Sequence, residues 1–168
     1  MRLFIAIPMS GEIKDALGRM QRQMRDQRIA GRFTPPENLH LTLAFIGEYP
    51  DPDAIFLPRV KPFTLELDGY GSFGDLWWAG LKPCPPLRRY VLALRHALAY
   101  DSIPFDRKKF SPHITLLRGG VGVPALTVPR AEMVVNRVSL MRSDRGKRGM
   151  IYTELRASEP WDPAWDDG

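Results

Sequence analysis

The sequence predicts one domain of strands and helices, built from two related halves that face each other across a cleft. The pattern His-aliphatic-Thr-Leu occurs twice, as His40-Leu41-Thr42-Leu43 and as His113-Ile114-Thr115-Leu116. Each copy closes a segment that runs strand, helix, strand, over residues 1–47 and 74–120. The 168 residues have the length of a single compact domain. Related halves usually pack about a pseudo-twofold axis, so we expect the two histidines to face each other.

The first half shows clear signals for its elements. Residues 3–7 form a short, continuously apolar segment that predicts a buried strand. Ser10 is a favourable N-cap, and residues 12–28 carry apolar side chains at helical spacing, with Gly31 as the expected stop. The first His-x-Thr strand then occupies residues 39–46.

The remaining elements follow from breaker residues and periodicity. In chain order we predict a loop over 49–58, a strand over 63–67 ended by Gly69-Tyr70-Gly71, a strand over 76–81, a helix from Pro85 or Pro86 to Tyr100, the second His-x-Thr strand closed by Gly119-Gly120, a loop over 121–130, and strands over 133–142 and 149–156. A basic turn, residues 143–148, joins the last two strands. The acidic tail, residues 157–168, is expected to attach loosely, with Trp161 or Trp165 as its anchor.

Charge and composition favour an anionic partner. The chain has a net charge of +5, and residues 106–156 hold 11 Lys or Arg against 4 Asp or Glu. Nucleic acid is the commonest partner of such a basic segment, although a solvated surface rich in arginine has the same composition. The single Cys84 cannot form an intramolecular disulfide and suits a reducing cytoplasm. No apolar run approaches the roughly 20 residues that span a bilayer, so we expect no membrane association.

The repeated motif suits acid–base chemistry at phosphorus. Alternate side chains of a strand share a face, so each copy should present His and Thr together and bury its aliphatic residues. Two imidazoles on opposite sides of a phosphate can activate water and protonate the leaving oxygen. Threonine hydroxyls beside them can donate to the non-bridging oxygens. Zinc is disfavoured because the chain has no His-x-His and no cysteine pair, and the third histidine, His96, is interpreted as a surface or packing residue.

The paired motif and its flanks resemble the 2H phosphoesterase superfamily. The opening Met1–Ala6, the run Pro36–Gly47 and Phe110-Ser111-Pro112-His113 are similar to one branch, the RNA 2′,3′-cyclic phosphodiesterases, also called 2′-5′ RNA ligases. The resemblance implies an α+β, two-lobed, pseudo-twofold fold with two antiparallel sheets, helices outside and a central cleft. It also implies hydrolysis of RNA 2′,3′-cyclic phosphate ends to 2′-phosphomonoesters without metal or cofactor. By the same resemblance His40 is the general acid and His113 the general base.

Further residues are candidates for substrate contacts. Thr42 and Thr115 would bind the phosphate. Phe45 and Arg118 lie five positions after the two histidines, so they reach the cleft face only if each strand bends. Arg118 would bind a phosphate, and Phe45 would either stack on a base or belong to the core.

The basic turn and the substrate leave alternatives open. Arg145, Lys147 and Arg148 would contact the RNA backbone, or they form a solvated tip. The expected partner is RNA with a 2′,3′-cyclic phosphate terminus or a related nucleotide, bound by a monomer. Two other functions compete: a 2H enzyme that acts on a small cyclic nucleotide, a 2′,5′-oligonucleotide or a 2′-5′ ligation junction, and a non-catalytic RNA-binding module.

Overall fold

The protein has an α+β fold, described for residues 1–166 by a computed structural model. These residues form nine strands and two α-helices. The strands are β1 (Arg2–Pro8), β2 (Ala30–Phe33), β3 (His40–Glu48), β4 (Phe63–Phe73), β5 (Leu76–Leu81), β6 (Ile114–Val121), β7 (Glu132–Val135), β8 (Ser139–Gly146) and β9 (Gly149–Ala157), and the helices are α1 (Gly11–Asp26) and α2 (Pro85–Tyr100).

The strands build two antiparallel sheets, as the resemblance implied. The first sheet has the order β3-β1-β8-β9, and the second has the order β2-β6-β5-β4-β7. Strand β3, which begins at His40, is an edge of the first sheet. Strand β6, which follows His113, lies inside the second sheet. The two motifs therefore belong to different sheets, which is the arrangement that a central cleft requires.

The sheets do not divide the chain into an N-terminal and a C-terminal half. Strand β2 comes from the first half but pairs with β6, and helix α1 contacts β6 and β7 of the second sheet, while α2 contacts β3 of the first. Gln21 of α1 adds to these contacts between the two halves of the chain, because its side-chain amide donates to the carbonyls of Thr34 and Leu116. The internal duplication within one domain stays a prediction.

Helix α1 begins where the sequence predicted and ends earlier. The Ser10 hydroxyl accepts from the Ile13 amide at 3.3 Å, a cap that typically contributes about 1 kcal/mol. The predicted end at Arg28 is wrong, since Arg28 has a φ of 60° and the helix stops at Asp26. Gly31 is not the stop; it lies within β2, where Leu117 and the β6 backbone leave no room for a side chain.

Strand β4 continues through the glycines that were expected to break it. A register shift between Leu67 and Tyr70 accommodates Gly69, whose φ is 74°. A Cβ at Gly71 would lie 2.5 Å from the ring of Trp78 on the neighbouring strand. The glycine here therefore makes room for an indole and does not end the strand.

The predicted strand over residues 133–142 is two strands in different sheets. Strand β7 pairs with β4 in the second sheet, and β8 pairs with β1 and β9 in the first. The chain crosses between the sheets at residues 136–138, where Val138 is buried and its amide donates to the Ser158 hydroxyl. Hydrophobic patterning did not reveal this crossing, because apolar residues occur on both sides of it.

The basic turn is also shorter than predicted. Strands β8 and β9 extend until Gly146 pairs with Gly149, which leaves a turn of two residues, Lys147 and Arg148. In the tail, Trp161 and Trp165 pack edge to face, and Arg59 lies over the Trp165 ring. Asp167 and Gly168, the end of the predicted acidic tail, lie outside the described residues.

No helix among residues 1–166 is long and apolar enough to cross a membrane.

Candidate active site

The His40 imidazole is held by hydrogen bonds at both ring nitrogens. Its Nδ1 lies 2.7 Å from the carbonyl oxygen of Asn38, and its Nε2 lies 2.9 Å from the Thr42 hydroxyl. A carbonyl can only accept, so Nδ1 carries the proton in the neutral ring and the lone pair of Nε2 accepts from the Thr42 hydroxyl. Phe4 and Tyr152 pack against the ring at centroid distances of 5.1 and 5.3 Å. The ring orientation is therefore fixed before any substrate binds.

The His113 imidazole, which precedes β6 of the other sheet, is held within residues 1–166 by a hydrogen bond at Nδ1 only. Its Nδ1 lies 2.7 Å from the carbonyl oxygen of Ser111, again two residues earlier in the chain. Phe73 packs edge-on against the ring at 5.0 Å, with Trp78 at 6.5 Å. The described residues show no hydrogen bond between His113 and Thr115, so Nε2 remains available to a ligand. Both histidines thus keep Nε2 as the atom that can exchange a proton.

Alternation places His and Thr on one face in both copies. Leu41 and Leu43 are buried, and so are Ile114 and Leu116, whereas each histidine and threonine is partly exposed. This pattern is the one expected for strands with one face in the core. The two His-Thr pairs therefore point away from the core.

A β-bulge in each strand brings Phe45 and Arg118 to this same face. In β3, Ile5 pairs with Ala44 and Ala6 with Thr42, so Leu43 is skipped. In β6, Trp77 pairs with Leu117 and Trp78 with Thr115, so Leu116 is skipped. An extra residue reverses the parity of the strand beyond it. Phe45 and Arg118 lie five positions after their histidines, an odd number, and the bulge in each strand is what brings them to the histidine face.

The cleft between the two motifs is formed by contiguous cavities. A cavity of about 670 Å³ is lined by His40, Thr42, Phe45 and Arg118, among others. Thr42 and Phe45 also line a cavity of about 410 Å³ with His113. A small space next to the first cavity shares His40 and Arg118 with it and is also lined by Thr115. The structure therefore brings both histidines, both threonines, Phe45 and Arg118 to one cleft.

Electrostatics in the cleft keep His40 neutral. Burial lowers the pKa of His40 from its usual 6.5, and the electrostatic influence of Arg118 and of the neighbouring His113 lowers it further. The hydrogen bond to the Asn38 carbonyl opposes this effect. The lowered pKa means that the cleft disfavours a further positive charge and favours an anionic ligand.

Arg95 of α2 fixes the loop that carries His113. Its guanidinium donates to the carbonyl of Lys108 at 2.7 Å and to the carbonyl of Leu43, the bulge residue of β3, at 3.3 Å. The rings of Phe105 and Phe110 flank it at 5.8 Å each. One cation therefore connects the strand of the first motif with the segment that precedes the second.

Several cleft residues carried no signal in the sequence. Tyr152 contacts His40 from β9, and Phe73 contacts His113 from β4, both far from the motifs in the chain. Arg2 lies over the Phe45 ring at 4.9 Å, so that face of the ring is already covered. Only the strand pairing reveals these contacts, since no local pattern distinguishes the three residues.

Other candidates lie elsewhere or only near the cleft. Arg145 lines the cavity with His40, and Arg148 lines a neighbouring one, but Lys147 is not among the residues lining either. His96 is exposed on α2, and Cys84 lies at the start of that helix. Residues 1–166 contain no group of three His, Cys, Asp or Glu side chains that could hold a metal ion.

Comparisons with known proteins agree with this architecture. A profile of LigT-like phosphoesterases matches residues 7–76. A Thermus thermophilus protein named RNA 2′,3′-cyclic phosphodiesterase is 35% identical, over 92% of this chain and 88% of the relative. A Geobacillus stearothermophilus protein of the same name is 30% identical over 68% of this chain, and the match spans 41% of that relative's length.

A solved structure extends the likeness to the fold. The crystal structure of E. coli LigT in its apo form matches with a TM-score of 0.77 at 30% identity, and the match covers 93% of this chain and 95% of that one. Since the Thermus thermophilus relative matches in sequence over 92% of this chain and the E. coli structure matches in fold over 93% of it, the chain belongs to the LigT-like phosphoesterase family.

Proposed function

We propose that this protein hydrolyses RNA 2′,3′-cyclic phosphate ends to 2′-phosphomonoesters, with His40 and His113 as the proton-transfer pair. One observation carries the proposal: each imidazole donates from Nδ1 to a backbone carbonyl, which leaves both Nε2 atoms for proton exchange, and the two rings line adjoining cavities that share Thr42 and Phe45. The name RNA 2′,3′-cyclic phosphodiesterase, which the relatives bear, supports this choice of substrate.

In the proposed reaction, His113 acts first as the base. Its Nε2 takes a proton from a water molecule whose oxygen attacks the phosphorus. The new P–O bond forms as the bond from phosphorus to O3′ breaks. His40 gives its Nε2 proton to O3′, which leaves a 3′-hydroxyl and a 2′-phosphomonoester. One proton is taken up and one released, so the two histidines must exchange protonation states before the next turnover.

Thr42, Thr115 and Arg118 would stabilise the charge that develops on the non-bridging oxygens. Two hydroxyls and a guanidinium on one cleft are suitable donors for a phosphate. The Thr42 hydroxyl donates to the Nε2 of His40, so a phosphate that accepts from this hydroxyl would have to replace the contact. Phe45 would contact a base with the ring face that Arg2 leaves open.

The electrostatics support an anionic substrate and bear on the role of His40. A lowered pKa keeps His40 neutral near pH 7, whereas a general acid must be protonated. A bound cyclic phosphate places a negative charge in the cleft, which raises the pKa of His40. Substrate binding would therefore recruit the proton that the leaving oxygen needs. The monomeric state and the cytoplasmic location stay predictions.

The position of the phosphate in the product tests this function. Purified protein in excess EDTA is incubated with an oligonucleotide that ends in a 2′,3′-cyclic phosphate, and the product is analysed by phosphorus NMR. We expect full conversion to the 2′-phosphomonoester, because proton transfer by imidazoles needs no metal ion. A 3′-phosphomonoester would mean that the other ester bond breaks. Activity that is lost with EDTA and restored by zinc would overturn the metal-independent mechanism.

A further inference from the structure

Another cavity, next to the one that holds His40, is lined by four arginines and by no carboxylate. This arginine cavity measures about 610 Å³ and shares Arg118, Arg145 and Tyr152 with the cavity that holds His40. Its other two arginines are Arg32 on β2 and Arg148 in the turn between β8 and β9. The arginines thus come from both sheets and converge at one end of the cleft.

The arginine cavity has an unbalanced positive charge. Arg32 and Arg118 are directly opposite each other on the antiparallel pair of β2 and β6. Like charges in this position destabilise a sheet. Within residues 1–166, none of the four arginines forms a salt bridge, whereas nearby Arg142 is paired with Asp144 at 3.0 Å. An anion bound between the guanidinium groups of Arg32 and Arg118 would relieve the repulsion.

The two ends of the cleft differ in chemistry. The cavity beside His113 is lined by Phe45, Phe73 and Phe110, together with the cations Arg95, Lys108 and Lys109 and one acid, Asp106. The apolar rings suit a base better than a phosphate. The arginine cavity offers four guanidinium groups, which are matched to phosphate oxygens. A strand whose last phosphate lies at the histidines would therefore continue through the arginine cavity.

We propose that the arginine cavity binds the internucleotide phosphate on the 5′ side of the reacting nucleotide, so that the enzyme prefers an oligonucleotide to a cyclic mononucleotide. The inference rests on the proposed function for the position of the reacting end. Arg32 and Arg148 hold the phosphate of the preceding linkage, and Arg118 lies between this phosphate and the reacting one. The site reads the backbone and not the base, since guanidinium contacts to phosphate carry no sequence information.

The test compares two substrates that end in the same cyclic nucleotide. We expect the double variant Arg32→Gln/Arg148→Gln to lower the ratio of kcat/KM for a pentanucleotide to kcat/KM for 2′,3′-cyclic AMP by about tenfold or more at low salt. The slope of log kcat/KM against log salt concentration for the pentanucleotide should become shallower by about two, one for each cation removed. An equal loss on both substrates would overturn the proposal.

Two control variants distinguish an effect of the arginine cavity from the effect of removing positive charge elsewhere on the protein. The variant Arg88→Gln/Arg89→Gln removes the same charge from the exposed face of α2, and we expect it to keep the wild-type ratio. Lys147→Gln removes a cation from the same turn outside the cavity, and it should change the ratio less than Arg148→Gln does. A loss for Arg88→Gln/Arg89→Gln equal to that of the test variant would contradict a defined site.

A binding measurement separates this inference from the proposed function. Fluorescence anisotropy of a labelled pentanucleotide with a 2′-phosphate end reports binding without turnover. If wild-type protein cleaves neither cyclic substrate, the proposed function fails, and the anisotropy alone decides the arginine cavity. Weaker binding by Arg32→Gln/Arg148→Gln than by Arg88→Gln/Arg89→Gln then supports it, and equal binding overturns it.

Discussion

Replacing either His40 or His113 with alanine should lower kcat by at least about 10²-fold, because each change removes one partner of the proton transfer. The substitutions should leave the fold intact, since both side chains are partly exposed and lie outside the hydrophobic core. Steady-state turnover of a cyclic-phosphate oligonucleotide measures the loss, and circular dichroism with thermal melting checks the fold. Wild-type turnover in either folded variant would contradict the two-histidine mechanism.

The neighbouring threonines provide matched controls for the histidine variants. Thr42→Ala and Thr115→Ala each remove a single neutral hydrogen-bond donor from the same face of the same strands. We expect a smaller loss of kcat than for the histidine variants. A threonine variant as inactive as a histidine variant would contradict the role of the hydroxyl as a simple neutral donor to the phosphate.

Replacing Arg118 with methionine should lower kcat/KM by about 10²-fold, the second largest effect we expect. Arg118 lines the cavity of about 670 Å³ that contains His40. It also lines the small space that His40 and Thr115 border. Its charge would act on the reacting phosphate, where a preorganised donor is worth about this much. Arg118→Lys keeps the charge but loses the bidentate fork, so it should recover only part of the activity.

Removing Arg118 should also raise the pKa of His40. The positive charge of Arg118 is one of the causes that lower this pKa, so its removal favours the protonated ring. Imidazole titration by NMR in wild type and in Arg118→Met measures the change. An unchanged or lower pKa of His40 would contradict the electrostatic description of the cleft, whatever happens to turnover.

The sequence predicted best where local chemistry decides the structure. The helix from Pro85 to Tyr100 and the strand over residues 76–81 have the bounds that the structure shows, because proline starts the helix and apolar periodicity continues it. The prediction that His and Thr of each motif lie on the same face of their strand followed from strand alternation alone. Local patterns of this kind do not depend on which strand lies alongside.

Long-range pairing decided the features that the sequence did not reveal. The bulges that bring Phe45 and Arg118 to the cleft exist only as mismatches between neighbouring strands, and one sequence does not show its partners. The same reason explains why Tyr152 and Arg32 were missed, since each reaches the cleft through pairing with a distant segment. The division of residues 133–142 between two sheets is likewise a property of the assembled fold.

The pH dependence of kcat/KM for wild type and the two histidine variants tests the central claim most directly. We expect a bell for wild type, with limbs that belong to the coupled pair. In His113→Ala the remaining group is the acid, so residual activity should fall as pH rises through the pKa of His40, which burial holds below 6.5. In His40→Ala the remaining group is the base, so residual activity should fall as pH falls. A variant that keeps both limbs of the bell would contradict the claim that these two imidazoles transfer the protons.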